Sequence, residues 1–309
     1  MAVLRCGNGL LTKRLHARVG FMGQAEQAML YHFESVAGLA RTGSDRLHRE
    51  SLRIGRFIER HIAAMIAGWA ALALLGGGIK LTLLLTRHPG LASFERLAPL
   101  VLGYLAAAVT PMVAYLLIQK CYPSGRVHAQ PRIRLARIGR WVPLDPVQAR
   151  SDKNFGMSGL VVSVVAGLLL CLAMRFVEYF LAVPAIPAGA PVWATTFFWL
   201  MTFDLVFLTF LYSAAVAMAL NAAPHFPRLL VYAWLCDLLM QLAIARSLVA
   251  TGPLPAEIVA PLQMFLVANI KKVLISAAIW LPYLLLSDRV NITFRSRVRA
   301  PKAGLAHFA

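Results

Sequence analysis

Charge is what this chain has least of. Asp, Glu, Lys and Arg make up 14% of its 309 residues, where soluble domains carry roughly 25%. The shortage falls mainly on the acids, 13 against 31 Lys and Arg. A soluble globular enzyme and a disordered chain are both excluded on these grounds. Cysteine is scarce too. Cys6, Cys121, Cys171 and Cys236 form no CxxC and no metal spacing, so a secreted disulfide scaffold is excluded and the thiols in apolar runs read as small hydrophobes. HExxH, GxSxG, GxxxxGKS and GxGxxG are all missing. The eight histidines lie outside or at the ends of the apolar stretches, which leaves no axial ligands for an intramembrane haem. No cofactor, metal or catalytic pair is expected, and the chain does not read as an enzyme.

What is abundant is apolar sequence: AVILMFWYC reach 59% and the mean hydropathy is +0.68. Six stretches, near 62–86, 97–118, 156–181, 192–220, 229–250 and 262–286, are long enough to cross a hydrocarbon core of about 30 Å. The fold class follows: all-α, polytopic, with six transmembrane helices. Basic residues orient it. Twenty-four Lys and Arg fall in the tail 1–61, the loop 119–155, the short loop 221–228 and the tail 289–309, against six on the opposite side. The positive-inside rule then places both termini in the cytoplasm. No apolar h-region precedes a small-residue cleavage site, so no Sec-type signal peptide is expected.

The tail 1–61 reads as two amphipathic helices. One covers 24–40, with Met29, Phe33, Val36 and Ala40 at helical spacing. Thr42-Gly43-Ser44 should break it and offer Ser44 as an N-cap. The second starts at Asp45, with Leu47, Ile54, Phe57 and Ile58 beside five arginines. Its arginines suit anionic lipid of the cytoplasmic leaflet, and its face suits a partner helix. In 119–155, PRIRLARIGRWVP suits a surface helix with Ile133, Leu135, Ile138 and Trp141 turned to the membrane. Nucleic acid is not expected, because one aromatic among so many basic residues is thin and topology already explains the charge.

Polar residues within spans are the candidate sites. Lys271 and Lys272 lie about 21 Å from the cytoplasmic end of the last span and Asp204 about 24 Å from that of its own. This predicts an Asp204–lysine pair. Asp237 and Tyr212 share a depth of about 12 Å, which suits a carboxyl–phenol hydrogen bond. Arg175 and Glu178 are i, i+3 neighbours that can pair within one helix, and Arg246 can snorkel. These groups are either interhelical fastenings or a transport path. Gly159, Ser163 and Gly167 form a small-residue face for close helix packing, and Gly76-Gly77-Gly78 thins the first span.

The stretch Trp280-Leu281-Pro282-Tyr283, Ser287-Asp288-Arg289-Val290 and Thr293-Phe294 resembles the ending of an uncharacterised bacterial family of four-span inner-membrane proteins, a domain of unknown function. Phe226-Pro227-Arg228 resembles its cytoplasmic loop. The likeness covers 155–297 and departs at Asp288 and Asn291, where that family is usually basic. It implies a four-span fold in a bacterial inner membrane and no particular reaction. Five segments result: an amphipathic tail 1–61, a two-span hairpin 62–118, a basic loop 119–155, a four-span domain 156–288 and a basic tail 289–309. The favoured function is a non-catalytic accessory or scaffold subunit, bound to a larger membrane protein or to copies of itself. The alternative is a small-molecule or proton-coupled transporter using the intramembrane Asp and Lys residues.

Overall fold

The computed structural model describes residues 8–91, 93–131, 138–186, 189–252 and 254–300, with side chains from 48 onward apart from that of residue 91. The chain divides into two units, Met1–Ser51 and Leu52–Ala309. Helix α1 is Asn8–Arg87. Within the first unit its backbone stays helical through Thr42-Gly43-Ser44, a correction to the expected break. One glycine costs about 1 kcal/mol in a helix and Ser or Thr less, and no proline is present to remove a backbone bond. The side chains of both expected amphipathic faces up to residue 47 lie outside the described residues.

The second unit contains α2 (Phe94–Cys121), α4 (Leu160–Ala182), α5 (Val192–Leu220), α6 (Phe226–Ala250) and α7 (Ala256–Leu286). With the His48–Arg87 part of α1 they make six helices long and apolar enough to cross a membrane. The protein is an all-α, multi-pass membrane protein. Helix α5 is its centre: 61% of its most apolar stretch is buried, against 11% for the first span. Ser213-Ala214-Ala215-Val216-Ala217-Met218-Ala219 are all buried, because small side chains let α2, α4 and α6 approach the α5 backbone from several sides.

Close approach also fastens the first span. A Cβ on Gly76 would sit 2.8 Å from the Phe180 ring, and one on Gly77 would sit 2.9 Å from Tyr104. Trp69 Nε1 donates to the Ala107 carbonyl at 2.9 Å, and Lys80 donates to the Val183 carbonyl. The small-residue face expected in α4 is corrected. Gly159 lies before the helix as its N-cap, with φ +60°, while Ser163 and Gly167 are exposed. The packed face of α4 carries Val161, Val165, Leu168 and Leu172 instead.

The segments 119–155 and 289–309 differ from a loop and a free tail. Trp141–Pro143 forms strand β1, paired antiparallel with β2 (Arg297–Arg299). Trp141 is therefore in a strand, with the Arg297 and Arg299 guanidinium groups 5.1 and 5.5 Å from its ring, and Ile138 is not helical. Ile133 and Leu135 lie outside the described residues. The short helix α3 (Pro146–Ser151) is capped by Asp145, and α8 (Asp288–Arg295) by Ser287.

At the centre of this end cap lies Asn291, fully buried. Its Nδ2 donates to the carbonyls of Leu285 and Ser287 at 3.2 and 2.8 Å. Its Oδ1 accepts from Arg295 Nη1 at 2.9 Å and Arg297 Nε at 2.7 Å. The neighbours lock the same turn. Arg289 donates to Ser158, Thr293 Oγ1 accepts from the Gly156 N–H at 3.0 Å, and Phe294 packs on Phe226 with ring centroids 4.8 Å apart.

Candidate functional site

Mid-way along α4–α7 a polar network crosses the bundle, and Arg175 of α4 is its hub. Arg175 Nη1 donates to Asp204 Oδ2 at 2.7 Å and Nη2 donates to Asp237 Oδ2 at 2.5 Å. Tyr212 donates its hydroxyl to the same Asp237 oxygen at 2.8 Å. Gln241 Nε2 lies 3.3 Å from Asp204 Oδ1 and 3.4 Å from Asp237 Oδ1. Asn269 Nδ2 donates to Gln241 Oε1 at 3.4 Å, and Lys272 Nζ donates to Asn269 Oδ1 at 3.3 Å and to Glu178. Helical spacing builds each station. Asp237 and Gln241 are i, i+4 on α6, while Asn269 and Lys272 are i, i+3 on α7, so each pair shares a face.

Burial makes the arrangement consequential. Asp237 is 0% and Asp204 3% exposed, and the Arg175 side chain is 11% exposed. One guanidinium faces two carboxylates, so the cluster holds an excess negative charge unless a proton or cation joins it. A buried unpaired charge costs several kcal/mol even after relaxation. The Lys272–Glu178 pair is neutral and supplies no compensation. Arg175 Nε is also buried, with no hydrogen-bond partner among the described residues.

Two cavities meet at this arginine. A groove of about 270 Å³ runs between α4 and α7 over a floor of Leu230, Trp234 and Asp237 from α6. From Val164 to Glu178 it follows α4 for about 21 Å. A second void of about 10 Å³, lined by Tyr179, Asp204 and Phe265, lies against the same guanidinium. It has room for roughly one water molecule. Asp237 is thus reached from the groove and Asp204 from the smaller void, with Arg175 lining both.

The expected Asp204–lysine pair is corrected: Asp204 is held by Arg175 and Gln241, and Lys272 by Glu178 and Asn269. Lys271 and Arg246 are exposed on the bundle surface. The expected Arg175–Glu178 pair within α4 is corrected as well, because both residues reach across to other helices. Tyr212 and Asp237 meet as their common depth suggested. Gln241 and Asn269 were missed. The only sequence signal for either was its spacing from Asp237 or Lys272. No three His, Cys, Asp or Glu among the described residues are grouped to hold a metal ion. Comparison with protein-family models, curated proteins and solved structures found no match.

Proposed function

We propose that helices α4–α7 form a proton-coupled permeation unit in a bacterial inner membrane, with both termini cytoplasmic and with kinship to the four-span family that 155–297 resembles. The observation that carries this reading is the pair of buried carboxylates around one guanidinium, at a groove that leads to it along α4. Intramembrane ionisable residues next to a cavity are the usual parts of proton relays. Asp237 and Asp204 would exchange the proton, Arg175 would hold the two in register, and Tyr212 and Gln241 would orient them. The orientation is supported by the 24-to-6 distribution of basic residues.

The test is proton flux into liposomes carrying the purified chain, read with an entrapped pH-sensitive dye under an imposed membrane potential. The wild type should acidify the lumen, and Asp237→Asn should abolish the signal while keeping the thermal transition of the folded protein. Flux no greater than in protein-free liposomes would refute the reading.

A scaffold or accessory role is the second reading, favoured by the first span, which buries so little of its apolar surface on its own chain. Stoichiometric copurification of another membrane protein, lost on deletion of 24–60, would support it over transport.

A further inference from the structure

The end cap holds a second concentration of charge, unlike the first in sign and surroundings. A cavity of about 190 Å³ opens where α6, α7 and the α8–β2 segment meet, and Arg228, Arg295 and Arg297 all line it. Among the described residues the remaining wall is apolar or uncharged, with Pro224, Pro227, Val231, Tyr232, Leu281 and Leu285 in it, and none of them is a carboxylate. Asp288, at the start of α8, faces Arg299 at 3.3 Å instead. Two of the arginines are held in place from behind. Arg295 donates to the Leu284 carbonyl at 2.8 Å, and Arg295 and Arg297 both bind Asn291 Oδ1. These contacts are with neutral acceptors, and they orient the guanidinium groups. Arg295 shows the consequence: burial, then the neighbouring Arg297 and Arg228, push its pKa down to about 10.

Three guanidinium groups lining one cavity, with no acid among its described lining residues, match a phosphate, whose oxygens accept paired, charge-assisted hydrogen bonds. The position of the cavity selects among phosphates. It lies at one end of two membrane-spanning helices, and its side wall includes Val231 and Tyr232, which are exposed on the flank of α6. Acyl chains could leave the cavity along that flank while the head group stays among the arginines. We propose that this cavity is a binding site for the phosphate head group of an anionic phospholipid. The site is independent of how Asp204 and Asp237 are used.

The test is native mass spectrometry, with thermal unfolding in parallel, on the full chain in detergent with added phosphatidylglycerol, phosphatidylcholine or inorganic phosphate. Phosphatidylglycerol should be retained and should raise the transition temperature, while phosphatidylcholine should do neither. Arg228 is the informative position, because it lines the cavity without taking part in the Asn291 contacts. Arg228→Gln should keep the unliganded transition and weaken phosphatidylglycerol about tenfold, and Arg228→Lys should recover part of the loss. Equal retention of the two lipids, or an Arg228→Gln variant that discriminates as well as the wild type, would overturn the proposal. Stabilisation by inorganic phosphate at the concentrations that suffice for the lipid would also overturn it, in favour of a soluble phosphate compound.

Discussion

Two arginine-centred clusters organise this protein, and they solve opposite problems. In the middle of the bundle, Arg175 is outnumbered by carboxylates, and its paired groups are enclosed by four helices. At the end cap three arginines line a cavity with no acid among its described residues, two of them held by one asparagine and one of those also by a backbone carbonyl. The difference lies in the surroundings. Mid-membrane there is no bulk water to share a charge, so a guanidinium has to be matched by countercharge. At the end of the helices Arg228 and Arg295 keep part of their surface exposed, while Arg297 is buried and donates to Asn291. The first cluster fastens helices to each other. The second gathers three arginines around one cavity.

The largest expected effect breaks the first cluster. Arg175→Leu strands Asp204 and Asp237 and should lower stability by about 3–5 kcal/mol, seen as a collapsed thermal transition in detergent. Adding Asp204→Asn and Asp237→Asn should return most of that loss, since no charge is then left unmatched. A triple variant no more stable than the single one would mean that the arginine acts through packing alone.

Asn291→Leu attacks the second cluster and should cost about 3 kcal/mol. Two carbonyls and two guanidinium N–H groups lose a buried partner, each worth about 1–3 kcal/mol at most. Asn291→Asp supplies an acid to Arg295 and Arg297 but gives up both donations to the Leu285 and Ser287 carbonyls, so it should weaken phosphatidylglycerol binding at some cost in stability. If Asn291→Asp left lipid binding unchanged, the contrast between the two clusters would lose its basis.

A smaller effect probes the boundary between them. His225 lies 2.9 Å from the Tyr122 hydroxyl, and burial, followed by Arg228, lowers its pKa from the ordinary value of 6.5. The unfolded chain therefore takes up a proton before the folded one does. Stability should fall as the pH drops from about 6.5 to the lower folded value, and level off below it. His225→Gln should flatten that part of a pH series of unfolding curves. An unaltered slope would assign it to other groups.

Much of this architecture was legible in the residues. Six apolar runs separated by basic connectors account for the spans, and Asp204, Asp237, Tyr212, Arg175, Glu178 and Lys272 stood out because charge and phenol are rare within them. Gln241 and Asn269 carried no such signal, since an amide in a span costs less than a charge and so stands out less. The end cap was illegible for another reason. Its strands are three residues long and pair segments more than 150 residues apart, which no local pattern encodes.

What the sequence determines by itself is depth. Each helical residue advances about 1.5 Å, so composition and counting place every charge along the membrane normal, and Tyr212 does meet Asp237 at a common level. Partner choice also needs the angle at which each residue leaves its helix axis, and successive residues differ there by about 100°. Asp204 and Lys272 share a depth, yet Asp204 turns to Arg175 and Lys272 to Glu178. That angle is set by the packing of α5 against α4 and α6. Small residues let the helices close, and the most buried charges must find countercharge in the interior they share.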